Sequence, residues 1–380
     1  MNKIIEALEL FNPQLEKNLS GQQLRAVQDL CACRTASLGG HVHKCSECEQ
    51  IKVYYNSCRN RHCPQCQGLN KAIWVDKMSA GVLDAPYFHL VFTIPEELKS
   101  LFYINQKLLY RLFYKASAET IQELCEDPRY LGAQPGFFSM LHTWSQDLNY
   151  HPHIHSVVTG GGLSEKGQWR MSKKKFFIPV KVLSKKFRGK FLYYLKKLYT
   201  ENKHRLSSFF CHYEEEEFNV LIDRLYSLEW YTYVKEAFSG PQAVLKYLGR
   251  YASGVAISNS RVLEVTQETV SFKVRNRKDP TRQTTITLKG KEFVRRFLLH
   301  ILPRGFVKIR HYGIQATRNK KTKLVLCRKL SKSKVYSPRY AGLSKIAIAS
   351  LIAGSDLSIC PFCKTCRMEK IQEFSARMVT

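Results

Sequence analysis

The sequence predicts an α+β protein, and three observations carry that reading. β-prone runs at Tyr87–Ile94, Phe137–Trp144 and His153–Val158 are interspersed with stretches of helical period. The apolar fraction of 44% over 380 residues is that of a globular chain with room for two or three domains. Residues 31–68 are rich in Cys, His and Arg and poor in long apolar runs, so they cannot build a core without a metal staple. The division that follows is 1–80, a helical N-terminus with a small zinc-binding module; 81–305, a larger mixed domain; and 306–380, a basic C-terminal region.

In order along the chain, residues 1–30 place Leu8, Phe11, Leu15, Leu19, Leu24, Val27 and Leu30 broadly at helical spacing, with Pro13 and Gly21 as punctuation. Residues 69–83 read as a helix. Tyr87–Ile94 is a strand stopped by Pro95, and Glu96–Leu124 is helical. Phe137–Trp144 and His153–Val158 are neighbouring strands joined by the polar turn Gln146-Asp147-Leu148-Asn149. Trp169–Val182 is β-like, and Leu183–Asn202 is a strongly basic helix. The acidic block Glu214–Glu217 is a solvated loop or a helix start. Glu229–Glu236 is a strand, Gln242–Ala252 a helix with Pro241 at its start, and 261–265, 269–275 and 283–288 a meander. Lys291–Leu302 is helical.

Formal net charge is +29, from 60 Lys+Arg against 31 Asp+Glu, which makes a polyanion, nucleic acid first, the expected partner. The amphipathic N-terminus carries Glu6, Glu9 and Glu16 and has no leader pattern. The apolar stretch 346–354 is far shorter than the roughly 20 residues of a membrane span. A soluble, cytoplasmic protein with no membrane partner is expected. Cysteine clustering in a long chain of this kind favours metal binding over disulfides.

Cys45-x-x-Cys48 and Cys63-x-x-Cys66 are spaced as two tight turns whose thiolates complete a tetrahedron around Zn²⁺. Such a site is structural, since four thiolates leave no open position. Cys31, Cys33, His41, His43, Cys58 and His62 are surplus to it, and Arg59, Arg61 and Lys44 beside it suit phosphates. Cys360, Cys363 and Cys366 with Cys327 form a second candidate zinc set.

His151-Pro152-His153-Ile154-His155 puts imidazoles on one face of a strand. His153 and His155 are candidate ligands of a catalytic cation; the third ligand is Gln146, preferred over His151, leaving positions open for phosphate oxygens of a substrate. Two imidazoles, a carbonyl oxygen and open positions suit Mg²⁺ or Mn²⁺. His89 is read as a packed, sheet-facing residue. Tyr247 and Tyr251 lie four apart on a helix, with Cβ atoms roughly 5–6 Å apart on one face. That spacing is also what core aromatics adopt, but Lys246, Gly249 and Arg250 around the pair favour chemistry on a phosphate. The tail from Arg304 interleaves cations, including Lys308 and Arg310, with Phe306, His311 and Tyr312, a mixture that suits single-stranded DNA.

Taken in order, Arg61-His62-Cys63-Pro64-Gln65-Cys66, His142-Thr143-Trp144-Ser145-Gln146, His151–His155, Tyr247-Leu248-Gly249-Arg250-Tyr251, Val255–Asn259 and Arg310-His311-Tyr312-Gly313 resemble the two-tyrosine HUH transposases of rolling-circle insertion sequences. The resemblance runs from about residue 20 to residue 330. It implies an HUH-type antiparallel sheet with flanking helices, ferredoxin-like, over 81–305, with the zinc module ahead of it. It implies that His153 and His155 hold the metal, that Tyr247 and Tyr251 are nucleophiles, and that Cys45, Cys48, Cys63 and Cys66 bind zinc. Relatives often carry a His-Arg pair just after the second tyrosine; Ser253 and Gly254 stand there in this chain, which removes one expected DNA contact.

The function so implied is nicking and joining of single-stranded DNA at transposon ends and target through 5′-phosphotyrosine intermediates, with Lys246, Arg250 and Arg310 contacting DNA. Two alternatives stay open in the sequence: a replication initiator or relaxase with the same chemistry, and a non-catalytic zinc-ribbon DNA-binding protein, which leaves the histidine strand and the tyrosine pair unexplained.

Overall fold

The computed structural model describes the chain except Met1, 173–177, 203–213, 239–242, 245–246, 248, 250–254, 277–278, 280 and 377–380. Helix α1 (Lys3–Phe11) starts where the Asn2 side chain accepts from the Ile4 and Ile5 amides, and α2 (Gly21–Cys31) starts on a Ser20/Gln23 capping box. Strands β1 (Gly40–Cys45) and β2 (Ile51–Tyr55) form a hairpin, and α3 (Gln67–Ser79) leads to β3 (Tyr87–Thr93). Next come α4 (Lys99–Ile104), α5 (Gln106–Glu126), β4 (Gln134–Trp144), β5 (Tyr150–Leu163) and the short β6 (Trp169–Met171). Then follow α6 (Val180–Asn202), α7 (Glu215–Ser227), β7 (Thr232–Phe238), β8 (Val262–Val265), β9 (Thr269–Arg275), β10 (Gln283–Lys289) and α8 (Gly290–Leu298). The chain ends with β11 (Ile309–Gly313), α9 (Lys323–Leu330), α10 (Lys345–Ala353) and β12 (Met368–Phe374). Among the described residues, no helix is long and apolar enough to cross a membrane.

The largest sheet has the order β11-β4-β5-β3-β7, with β6 on β5, and every neighbouring pair is antiparallel. Strand alternation divides it into two chemically different faces. Phe88, Leu90, Phe92, Phe137, Leu141, Ile154 and Val158 point to a core shared with Leu109 and Phe113 of α5 and Phe187 and Phe191 of α6. The other face carries Tyr87, Phe138, Met140 and Val157, packed with Val244 and Tyr247, and continues into the histidines.

A second core joins α1, α2 and α8 to the meander β8–β10: Ile4, Leu8, Phe11, Val27, Leu30, Val270, Phe272, Phe293 and Phe297 are all buried in it. The N-terminal helices therefore pack on residues 256–301. The two cores meet at the β4–β5 turn. Leu148 is fully buried in the second core with φ of 62°, a left-handed conformation unusual for leucine. Three carbonyls of that turn are held from outside it: Gln146 by Arg261 (2.6 Å), Asp147 by Arg296 (2.9 Å) and Leu148 by His300 Nε2 (3.1 Å).

Two expectations are corrected and one open alternative is decided. The β-like stretch Trp169–Val182 yields a strand only at Trp169–Met171, and α6 already begins at Val180; 173–177 lie outside the described residues. Of the two readings of the acidic block, the helix start is the one found, because Glu214 and Glu217 cap α7. Residues 306–380 do not stand apart, since β11 extends the large sheet and β12 pairs with β1.

His300 also yields a pH prediction. Burial lowers its pKa from 6.5 to about 4, so it folds neutral. Below the unfolded value the unfolded chain takes up the proton first; stability is therefore complete above pH ~6.5 and is lost as pH falls toward the folded value. The expected loss from this residue at pH 5 is about 2 kcal/mol. Urea midpoints at pH 7 and pH 5 check it: His300→Gln, which keeps a donor for the Leu148 carbonyl, should lose less than the parent between the two.

Candidate active site

The histidines gather because three adjacent strands present them on one face. His153 and His155 lie two apart on β5; His142 of β4 is the cross-strand partner of His153, and His89 of β3 lies two pairs further along from His155, opposite Val157. One ring nitrogen from each of His142, His153 and His155 lies within 4.8 Å of the other two. Ring centroids are 4.7 Å apart for His142–His155 and 4.8 Å for His153–His155. His153 Nδ1 donates to the His151 carbonyl at 2.7 Å, which puts its lone pair on Nε2. His155 Nδ1 lies 2.9 Å from His89 Nε2. Burial lowers the pKa of His153 to about 4 and of His155 well below 6.5. Both rings are neutral at physiological pH, as ligation requires.

Tyr247 reaches the same cluster. The described residues Ala243, Val244, Tyr247 and Gly249 are helical. Tyr247 is 5% exposed, packed with Tyr87, Met140 and Val157, and its hydroxyl donates to His89 Nε2 at 2.6 Å. His89 therefore links the tyrosine to a candidate metal ligand, which corrects its reading as a merely packed residue. Burial, then Lys235, lowers its pKa to about 3, so the ring is neutral. Tyr251, Lys246, Arg250, Ser253 and Gly254 lie outside the described residues.

Gln146 does not join the cluster. It sits exposed in the β4–β5 turn, where its carbonyl takes the Arg261 guanidinium. His142, not Gln146 or His151, is the third member, because the antiparallel register sets it opposite His153 while the turn carries Gln146 beyond the sheet. Arg310 also lies elsewhere. Alternation along β11 sends it to the α5 face, with its guanidinium 4.2 Å over the Tyr114 ring, while His311 on the other face approaches Phe138.

Trp144 stacks on His142 at 4.6 Å, and the Lys308 ammonium lies 4.8 Å above the indole. Burial, then Arg61, lowers Lys308 to about 7. A cleft of about 410 Å³ opens here, lined by Arg61, His62, Gln67, Trp144 and Lys308. It shares Arg61 and His62 with a neighbouring cleft of about 570 Å³ that adds Arg25 and Arg304. Sequence reasoning placed Arg304 and Lys308 in a tail suited to single-stranded DNA, not at this site, and did not single out Arg25. Their signal was only their charge.

The cysteines separate into two groups, so Cys45, Cys48, Cys63 and Cys66 do not converge on one point. Cys63 and Cys66, at the start of α3, meet Cys33 and Cys58; the Sγ atoms of Cys33–Cys66 and Cys58–Cys66 are 3.5 and 3.7 Å apart. Cys45 and Cys48 meet Cys360 and Cys363. Cys327 joins neither group and is buried beside Leu83, Ile314 and Leu324. The Cys33/58/63/66 set has the number, softness and spacing of donors that a structural zinc takes.

Residues 5–94 match the family described as a transposase zinc-binding domain, of the IS91 type, and residues 136–323 match the one described as a putative transposase. The chain is 42% identical over 361 residues to a putative transposase, y4qJ, of Sinorhizobium fredii, covering 94% of this chain and 91% of that one. It is 29% identical over 309 residues to the transposase for insertion sequence element IS801 of Pseudomonas savastanoi pv. phaseolicola, covering 80% and 72%. With both family regions matched in order and a relative this similar over nearly its whole length, the chain belongs to the IS91-type transposases.

Proposed function

We propose that this transposase cuts and joins single-stranded DNA at element ends by rolling-circle transposition, through tyrosine attack at a histidine-held metal. The observation that carries this reading is the Tyr247 hydroxyl bonded to His89 beside His142, His153 and His155. The order β7-β3-β5-β4, with helices between the first and second and the third and fourth of these strands in sequence, supports the HUH-type, ferredoxin-like assignment.

His142, His153 and His155 would hold the ion. Three nitrogens without a carboxylate suit Mn²⁺ better than the harder Mg²⁺. When bound, the ion supplies Lewis-acid stabilisation of charge on the scissile phosphate. Tyr247 Oη, held by its hydrogen bond to His89 Nε2, attacks phosphorus as its proton is lost to water, and the P–O3′ bond breaks. The products are a 5′-phosphotyrosine and a 3′-hydroxyl, whose proton comes from water. Tyr251 would serve a second strand, so that one chain carries two covalent attachments. Arg25, Arg61, Arg304 and Lys308 line the path by which a single strand approaches His142, and Lys246 and Arg250 flank the nucleophiles.

The test is covalent trapping. The parent, incubated with a single-stranded end oligonucleotide and Mn²⁺, should form a protein–DNA adduct that chelation prevents; Tyr247→Phe with Tyr251→Phe together should form none. An adduct in the double variant would overturn the assignment, and binding without any adduct in the parent would favour a DNA-binding role alone.

A further inference from the structure

We propose that Cys45, Cys48, Cys360 and Cys363 form a second zinc site that fastens the two ends of the chain to each other. All four Sγ atoms lie within 4.8 Å of one another. Cys45–Cys363 and Cys48–Cys360 are separated by 3.7 and 3.6 Å. A tetrahedron with Zn–S bonds of about 2.3 Å has S···S edges of about 3.8 Å, so the thiols already stand at ligand spacing. Cys366 is a fifth thiol nearby, but at 3.0 Å from Cys45 it is too close to share a tetrahedral edge with it. Thr365 Oγ1 lies 3.0 Å from Cys363 Sγ and donates to the Glu47 carboxylate.

The backbone gives a second, independent indication. Positive φ at a non-glycine residue is uncommon, and here it follows cysteines: Glu49 (56°) after Cys48 and Lys364 (62°) after Cys363. The same feature marks the other cluster, at Arg34 (62°) after Cys33 and Arg59 (55°) after Cys58. Both groups are thus built from turns of one kind, in which the chain bends sharply just past a thiol.

The third argument is what else holds this part together. Strand β12 pairs with β1, with Met368 opposite Cys45 and Phe374 opposite Gly40, in the sheet β12-β1-β2. Among the described residues, no buried apolar cluster contains a residue of β1, β2 or β12. A small sheet without a core needs a staple. The ligands come from positions some 312 residues apart, and the returning chain is further tied to α3, where the Asp76 carboxylate accepts from Tyr336 Oη and the Arg339 and Tyr340 amides. The site therefore holds the C-terminal segment against the N-terminal module.

The full-length protein, purified with zinc, should contain two zinc ions per chain by mass spectrometry. Cys360→Ser with Cys363→Ser should contain one, and protease should then cut between residues 354 and 367 at least tenfold faster. Cys366→Ser should keep two. A second measurement, on the parent, needs no variant to fold: iodoacetamide should label Cys45, Cys48, Cys360 and Cys363 only after chelation. One zinc in the parent, two in the Cys360/Cys363 variant, loss of a zinc in Cys366→Ser, or rapid labelling of those four thiols before chelation would overturn the proposal.

Discussion

Replacing His142 with alanine should lower strand cleavage by about 10²–10³-fold, while Gln146→Ala should cleave near the parent rate. The contrast follows from where the β4–β5 hairpin puts the two side chains. His142 is 5% exposed, opposite His153 and 4.7 Å in ring centroid from His155. Gln146 is exposed in the turn, and its main-chain carbonyl, which alanine keeps, takes the Arg261 guanidinium. Removing the imidazole takes one nitrogen of three from the metal and also the surface on which Trp144 stacks. Single-turnover cleavage of an end oligonucleotide in Mn²⁺ reads the effect, with equal zinc content and equal thermal midpoints as controls for folding. A silent His142→Ala together with an inactive Gln146→Ala would restore the carbonyl ligand and remove His142 from the mechanism.

His142 shows what was legible and what was not. The strand holding it, the strand holding His153 and the turn between them could all be read from period and turn residues, because those are local signals. The pairing of Trp144 with Tyr150, with an irregularity between His142 and Trp144, is what puts His142 opposite His153. Counting back from the turn in regular register would set His142 opposite Pro152, so the pair was not legible in the sequence. His89 was hidden more deeply, since its contact with Tyr247 joins residues 158 apart through β3, which the sequence could identify as a strand but not as the neighbour of β5. The cysteines failed for a combinatorial reason. Two Cys-x-x-Cys pairs between Cys45 and Cys66 look like one site, and nothing local in the chain says that each pair finds its partners elsewhere, one pair at Cys33 and Cys58 and the other beyond residue 359. The N-terminal helices, the meander and the histidine strand were legible because each is set by neighbours in sequence.

Cys63→Ser should unfold the second core while the α5–α6 side of the large sheet stays folded. Cys33, Cys63 and Cys66 are buried in the same cluster as Ile4, Leu8, Val27, Val270, Phe293 and Phe297, so the zinc set and the apolar contacts of α1, α2, α8 and β9 support one another. A structural zinc contributes roughly 10–16 kcal/mol of apparent binding free energy, against a total of about 5–15 kcal/mol for a typical domain. Loss of most of that contribution exceeds what the remaining contacts of this core can offset. Hydrogen exchange by mass spectrometry should show α1, α8 and β9 exchanging rapidly in the variant, with α5, α6 and β3 still protected. The histidine face should then be disturbed from its far end, because the β4–β5 turn loses its three anchors at Arg261, Arg296 and His300 together with the pocket for Leu148. Metal-dependent cleavage should therefore fall even though no residue of the histidine cluster has changed. Protection retained across α1 and α8 in Cys63→Ser would show that the apolar contacts alone hold this core, and would leave the zinc without a structural task there.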